Sequence, residues 1–148
     1  MPGWHDAQVT ALSDRDYEAL ARFRRSVLMF TRAADALARG AGVSPTQNLL
    51  LLTIRAHTTG QDPTISSLAD ELQLRPHSVT ELVQRAQRAG LVDVIANPAD
   101  ARSRCVRLTE RGIDVLAEQF ERGRSELYEA RQRLLDDLRA VQEPSTEQ

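Results

Sequence analysis

Two short helical patterns separated by a three-residue turn are the feature that most constrains the fold of this chain. The first follows a cap at Thr64 or Ser66 and carries its apolar residues at helical spacing. Pro76, a favourable first helical residue, begins the second, which is predicted to end near Ala89. The apolar residues of the second pattern are Val79, Leu82, Val83 and Ala86. Two short helices joined by a tight turn, the second amphipathic, predict a helix-turn-helix.

A turn-rich segment directly after these helices is flanked by two β-patterns. Val92 to Ile95 is predicted to form one strand and Arg104 to Leu108 the returning strand. Asn97 to Asp100 is a turn cluster between them. A hairpin in this position is a wing, so residues 43–109 are predicted to form a winged helix-turn-helix domain.

Heptad-like apolar stripes at both ends of the chain predict two long helices. The first should begin after Ser13, where Asp16 completes a cap. Its stripe is Leu20, Phe23, Val27, Phe30, Ala34 and Leu37. The last helix should begin after Thr109, and its stripe is Ile113, Leu116, Phe120, Gly123, Leu127, Ala130, Leu134, Leu138 and Val141. A further helix, opened by Ser44-Pro45-Thr46-Gln47, should end near Thr58-Thr59-Gly60.

The stripes could pack within their own domain, but their length and pairing favour a homodimer. We therefore predict a mainly α-helical fold with a small β-hairpin wing. Residues 13–42 and 110–141 would be the long N- and C-terminal dimerisation helices. Residues 1–12 and 142–148 are predicted to form a flexible arm and a flexible tail.

Charge is unevenly distributed along the chain. The 148 residues carry a net charge of −2, but Arg75 to Arg111 holds seven arginines and four acidic residues, a local balance of +3 that leaves −5 for the remainder. A DNA-binding surface needs a basic face rather than a basic protein. All 19 basic side chains are Arg. Arg suits phosphate and guanine contacts, although a GC-rich genome produces the same bias.

Several classes of function are disfavoured. No apolar run approaches the roughly 20 residues of a membrane span, and the N-terminus lacks the order of a signal peptide, so the cytoplasm is expected. The lone Cys105 leaves no disulfide or zinc spacing, and His5, His57 and His77 lie in three separate segments, which argues against a metal site. No Gly-rich phosphate loop, nucleophile elbow or dense carboxylate cluster is present, so we predict neither enzymatic activity nor a cofactor.

The helix-turn-helix and wing together resemble the MarR family of bacterial regulators, and the resemblance extends from about residue 14 to 140. Its most specific part is SSLADELQLRPHSVTELVQRAQRAGLV followed by NPADARSRCVRLTERG. The residues that match the family's wing signature are Asp100, Arg102, Val106, Leu108, Thr109 and Gly112. The resemblance implies a homodimer that reads a pseudo-palindromic operator in double-stranded DNA. It also implies repression that a small phenolic or other lipophilic ligand relieves.

Three positions depart from the family's pattern, and two other functions compete. Arg75 stands where many members have a Ser cap, Val94 where Arg is common, and Ala101 within the usual Asp-Arg-Arg. These departures bear on affinity and operator sequence. The alternatives are a helical protein-interaction module and a PadR-like regulator; Arg102 and Arg104 favour DNA, and the wing signature with the long first helix favours MarR.

The predicted DNA contacts are the polar residues of the second short helix and of the wing. They are Arg75, His77, Ser78, Thr80, Gln84, Arg85, Asp100, Arg102 and Arg104. An ordinary solvated face is the alternative. Gln84 and Arg85 could read adenine and guanine, or only hold phosphate. Glu81 would accept from a cytosine amine or pair with Arg85.

At the wing tip, Arg102 is predicted to enter the minor groove. Asp100 is predicted to hold the Arg102 side chain in one rotamer through a charge-assisted hydrogen bond. The alternative is an exposed surface pair without relevance to DNA.

Phe23, Phe30 and His57 are the candidate ligand-binding residues, for a small aromatic or lipophilic effector. His57, in a last helical turn, is explained equally by dipole and capping effects. Cys105 alternates out of phase with the inward-facing Val106 and is expected on the outer face of the wing. Nearby arginines could activate its thiol, but an incidental surface cysteine is the favoured interpretation.

Overall fold

The structure is a computed structural model that describes residues 13–57 and 60–142. In this part of the chain there are five α-helices and one two-stranded sheet. The elements in chain order are α1 (Asp14–Gly40), α2 (Pro45–Ala56), α3 (Ile65–Leu72), α4 (Pro76–Arg88), β1 (Val92–Ala96), β2 (Arg104–Leu108) and α5 (Glu110–Gln142). They confirm the predicted mainly α-helical fold with a small hairpin. The predicted arm at 1–12 and the tail beyond residue 142 lie outside the described residues. Helix α2 ends at Ala56, shortly before the predicted end near Thr58-Thr59-Gly60.

Side-chain caps begin four helices where the sequence predicts them; at α5 the Gly112 amide donates to Thr109 Oγ1 at 3.1 Å. The Ser13 amide donates to Asp16 Oδ2 at 2.8 Å, and the Asp16 amide donates to Ser13 Oγ at 3.3 Å. Ser44 and Gln47 form the same reciprocal arrangement at α2, and Thr64 caps α3. Because each cap satisfies amides that have no partner within the helix, these local bonds determine where the helices begin.

The described residues divide into two compact units, of which the larger is residues 34–125 and contains the helix-turn-helix and the hairpin. Its fully buried large side chains are Leu50, Leu51, Leu68, Val79, Leu82, Val83, Leu91, Val92 and Val106. The four apolar residues predicted to face inward from α4 are all buried. The amphipathic pattern of α4 therefore sets which of its faces remains open.

The turn between α3 and α4 is tight because Gln73 adopts a left-handed conformation with φ 54°. The Leu74 amide then donates to the Ala69 carbonyl at 3.0 Å, which closes the end of α3. Gly90, with φ 71°, reverses the chain again after α4 and leads into β1. These two reversals place α4 between α3 and the hairpin.

The hairpin contains one residue that the sequence misplaces. β1 and β2 pair antiparallel, with Val94 opposite Val106. The segment before α3 also joins β2: the Val106 amide donates to the Pro63 carbonyl at 2.9 Å, and Thr64 forms a bridge with Cys105. Cys105 is consequently buried, with 2% of its surface exposed. The predicted surface position of Cys105 is wrong, because residues distant in sequence, among them His57, Gln61 and Asp62, lie around its side chain, and strand alternation cannot show them.

The smaller unit contains residues 13–33 and 126–142, the outer parts of α1 and α5. The Ser26 hydroxyl donates to Asp137 Oδ2 and links the two helices. Large apolar side chains nevertheless remain exposed in this unit. They are Tyr17, Leu20, Val27, Leu28, Met29, Tyr128 and Val141.

Candidate nucleic-acid interface

A groove of about 470 Å³ lies between α4 and the hairpin in the larger unit. Three structural elements line it: the start of α3, one flank of α4 and the end of the wing. The lining residues are Thr64, Ile65, Ser66, Thr80, Val83, Gln84, Gln87, Val94, Arg102, Ser103 and Arg104. Thr80, Gln84, Arg102 and Arg104, which the sequence places in two separate segments, therefore share one surface.

The first turn of α4 is open to the surroundings. Arg75 occupies the cap position without any side-chain hydrogen bond to the helix, as expected for a residue that replaces a Ser cap. Arg75, Pro76 and His77 are exposed, whereas Ser78 is half-buried. The first helical amides thus lack a capping side chain and carry the positive end of the helix dipole, an arrangement that favours an anion such as phosphate.

Two charged residues lie on the other flank of α4. Arg85 and Glu81 are exposed and do not line the groove. In the part of the chain that the structure describes, neither takes part in an ion pair. The pairing of Glu81 with Arg85, one of the two predicted roles of this glutamate, is therefore not formed.

The wing tip is held by a network of short-range hydrogen bonds. The Asp100 carboxylate accepts from the backbone amide of Arg102 at 2.9 Å, and the Ser103 amide donates to the Asp100 carbonyl at 3.1 Å. Asn97 Nδ2 donates to Ser103 Oγ at 2.7 Å, while Asn97 Oδ1 accepts from the Ala99 amide at 2.9 Å. The tip is consequently a fixed pair of turns rather than a loose loop.

This network corrects the predicted contact between Asp100 and Arg102. The prediction that the carboxylate grips the guanidinium is wrong, because the carboxylate accepts from the Arg102 main chain instead. An aspartate two residues before an amide forms an Asx turn, which needs no side chain at the second position. Asp100 therefore orders the backbone that carries Arg102 and leaves the guanidinium unpaired within the described residues.

The arginines of the hairpin differ in what they contact. Arg107 forms an ion pair with Asp62, with the guanidinium nitrogen 3.0 Å from the carboxylate oxygen. Arg102 and Arg104 are exposed, line the groove and have no acidic partner in the described part of the chain. The free positive charge of the wing is thus concentrated at its groove side.

Sequence reasoning missed part of this surface. Gln87, Ser66 and Ser103 line the groove but were not among the predicted contacts. Helical spacing could have predicted Gln87, since it follows Thr80 and Gln84 on the same helix face. No sequence pattern predicts Ser66 and Ser103 as groove residues, because only the packing of α3 and the wing beside α4 brings them to the groove.

The candidate ligand-binding residues are distributed over both units. Phe23 and Phe30 are half-buried on α1 in the smaller unit. His57 terminates α2 in the larger unit, as predicted for a capping residue, and its Nδ1 lies 3.1 Å from Glu71 Oε1. It lines a cleft of about 380 Å³ together with Gly60, Gln61, Asp62, Ile95, Pro98, Cys105 and Arg107. A ligand role for these three residues stays a prediction.

Two kinds of site are not found in residues 13–57 and 60–142. No group of three or more His, Cys, Asp or Glu side chains in this part of the chain could hold a metal ion. Of the helices described, none combines the length and apolar character needed to cross a membrane.

Comparisons with known proteins agree with this geometry. A family model described as MarR family matches residues 41–103. Among solved structures, a MarR family transcription regulator is 27% identical to this chain, with a TM-score of 0.67. The match covers 78% of this chain and 74% of the regulator. S. aureus MepR in complex with DNA is 26% identical, with 81% of this chain and 82% of the relative covered and a TM-score of 0.61. A search of curated proteins found no match.

A third solved structure matches a larger share of the chain. A mutant MarR from E. coli, solved with operator DNA, has a TM-score of 0.68 and covers 88% of this chain and 94% of its own. At 21% identity it supports the fold alone. The family model covers the helix-turn-helix, β1 and the wing tip. Residues 41–103 therefore match the MarR family model, and the chain is similar in fold to solved MarR family transcription regulators.

Proposed function

We propose that this protein is a sequence-specific DNA-binding repressor. It acts in the cytoplasm, binds a pseudo-palindromic operator as a homodimer and is released by a small aromatic or lipophilic ligand. The observation that carries the DNA-binding part is the shared groove, which is lined by Gln84 of α4 and by the unpaired Arg102 and Arg104 of the wing. A helix with free polar groups beside a basic hairpin matches the two parts of DNA recognition, base edges and phosphates.

The unpaired arginines of α4 and the wing support the same proposal. Arg75, Arg85, Arg102 and Arg104 are exposed, and none has an acidic partner in the described residues. Arginines without an internal partner remain available to neutralise phosphates and release counterions. Two solved relatives, MepR and a mutant MarR, were determined with DNA.

Exposed apolar side chains support the homodimer. Leu20 and Val27 from the predicted stripe of α1 are more than 40% exposed in the single chain, as are Ile113 and Phe120 from that of α5. Large apolar side chains that recur on one stripe of a helix favour burial against another surface. We assign that role to a second copy of the chain, because the end helices carry self-complementary stripes and a two-fold dimer buries the same stripe twice.

We expect Arg102→Ala to weaken operator binding by about 5- to 150-fold. Its guanidinium has no internal partner, so the substitution removes a DNA contact without unfolding the wing. The slope of log K against log salt should fall by about one unit for each phosphate that the variant no longer neutralises. Fluorescence anisotropy across a salt titration measures both quantities. The matched control is Arg122→Ala, which removes an arginine paired with Glu118 on α5; equal affinities for the two variants would contradict the wing's role.

The Asx turn makes Asp100 a second control for the wing. Asp100→Asn keeps an oxygen that accepts from the Arg102 amide and removes a negative charge close to DNA, so it should bind operator at least as tightly as wild type. Asp100→Ala removes the acceptor and should bind more weakly, with the salt slope nearly unchanged. Equal weakening by Asn and Ala would show that the charge, and not the turn, is what matters.

Ligand release has its own test. We expect at least one phenolic or other small aromatic acid to raise the Tm of the protein and to displace the labelled operator. Phe30→Ala should reduce both effects, whereas Tyr17→Ala, which removes an exposed aromatic side chain from the same helix, should not. A panel of such acids that neither stabilises the protein nor displaces DNA would remove the ligand from the proposal and leave DNA binding intact.

A further inference from the structure

We propose that one face of α4 reads A·T base pairs in the part of each operator half-site that lies nearest the wing. This face consists of Thr80 and the two amide side chains Gln84 and Gln87, and we call it the amide row. This inference rests on the proposed DNA-binding function and specifies what the helix recognises. The three residues recur at intervals of four and three, are exposed and line the same groove as the wing arginines. They therefore form one continuous flank of the helix.

The two flanks of α4 differ in charge. The amide row contains no ionisable side chain. With 3.6 residues per turn, Glu81 and Arg85 lie about 100° and 140° around the helix from Thr80, and neither lines the groove. Neutral amides cannot release counterions from phosphate, so this flank offers hydrogen bonds of defined geometry rather than electrostatic affinity.

The chemistry of the row matches adenine and thymine. A glutamine amide can donate to adenine N7 while it accepts from the N6 amine, a bidentate contact that no other base pair offers in the same geometry. Neither Gln84 nor Gln87 has a side-chain hydrogen bond in the described part of the chain, so both amides are available.

Thr80 contributes differently. Its hydroxyl donates to the Pro76 carbonyl at 3.0 Å and is therefore engaged with its own helix. What remains of this exposed side chain is its methyl group, which suits the C5 methyl of thymine. Donors and acceptors for adenine and an apolar group for thymine thus occur on consecutive turns of one face.

The test begins with the wild-type protein and a random-sequence DNA library, from which bound sequences are selected. We expect a pseudo-palindrome with A·T pairs towards the outer side of each recognition-helix site. In that operator, replacing these adenines by an analogue that lacks N7, or these thymines by uracil, should weaken wild-type binding. Changing one such pair to G·C should cost about 5- to 150-fold.

Variants then assign the readout to residues. Gln84→Ala and Gln87→Ala should lose discrimination at one A·T position each while the salt slope stays at the wild-type value. Thr80→Ser, which keeps the hydroxyl and removes the methyl, should become insensitive to uracil substitution. Arg85→Ala, on the opposite flank, should lower the salt slope and keep the preference for A·T.

The outcomes separate the two proposals. If the wild-type protein selects no sequence above the random pool, the proposed function fails and this inference fails with it. If it selects an operator but the glutamine variants keep full discrimination at every position, or lose salt dependence as removal of a phosphate contact would cause, only the A·T readout is overturned.

Discussion

Phe120→Asp is expected to convert the protein to a folded monomer that no longer retains its operator. Phe120 is 56% exposed on α5 of the single chain, so the substitution adds no buried charge within one subunit. In the proposed dimer the same position would bury an unpaired carboxylate in an interface of more than about 2,000 Å². The substitution should therefore act on assembly and spare the fold.

Loss of the dimer should remove the advantage of two linked half-sites. A second recognition helix held by the same dimer binds at high effective concentration, and a monomer forfeits this, at a cost of about 100-fold or more in operator affinity. Light scattering at micromolar concentration, circular dichroism and anisotropy on one preparation measure assembly, folding and binding.

A matched variant tests whether the site of the new charge matters. Ser125→Asp places the same carboxylate on α5, about 140° around the helix from Phe120, at another exposed position. It should remain dimeric and bind operator normally. A dimeric Phe120→Asp protein, or two variants that dissociate equally, would contradict the proposed interface.

Gly112→Ala is expected to destabilise the winged unit by about 3 kcal/mol, lowering its Tm by about 10 °C. A Cβ at this position would lie 2.2 Å from the Leu91 carbonyl oxygen. That oxygen cannot move freely, because it accepts from the Thr109 amide at 3.1 Å and belongs to a residue that is 2% exposed. The start of α5 must therefore shift away from the end of α4.

Gly40→Ala is the control for this prediction. Gly40 ends α1 and has no heavy atom within 4 Å of an added Cβ, so alanine should stabilise the protein by about 0.4–1 kcal/mol through the unfolded state. Thermal unfolding at one protein concentration compares the two variants, because the Tm of a dimer depends on concentration. Equal Tm values would mean that the close approach of Gly112 to Leu91 relaxes without cost.

Helix starts and the inward face of α4 were accessible from the sequence because they depend on neighbours a few residues away. Ser13, Ser44 and Thr64 cap the helices that follow them, and each cap involves a residue only three positions further on. The buried residues of α4 follow from its 3.6-residue period. The resemblance of the wing to the MarR family likewise depended on a short, ordered set of residues.

Tertiary structure decided two features that no local pattern contains. Cys105 is buried because Pro63 and Thr64, some forty residues earlier, pair alongside β2 and bring Gln61 and Asp62 close to its side chain. Ser66 joins the groove because α3 packs beside α4. The contact of Asp100 with the Arg102 main chain is local, an Asx turn, but residue types alone did not distinguish it from an ion pair.

Interaction range explains this division. Capping bonds and helical periodicity act within about one helical turn along the chain, so the sequence by itself determined the elements, their order and the open face of α4. Which distant segment covers a face, and which side chains from α3, α4 and the wing share a groove, depends on how the chain closes around Leu68, Leu82 and Val106. That closure is a property of the packed core, and it placed Gln87 in the same groove as Arg102 and Arg104.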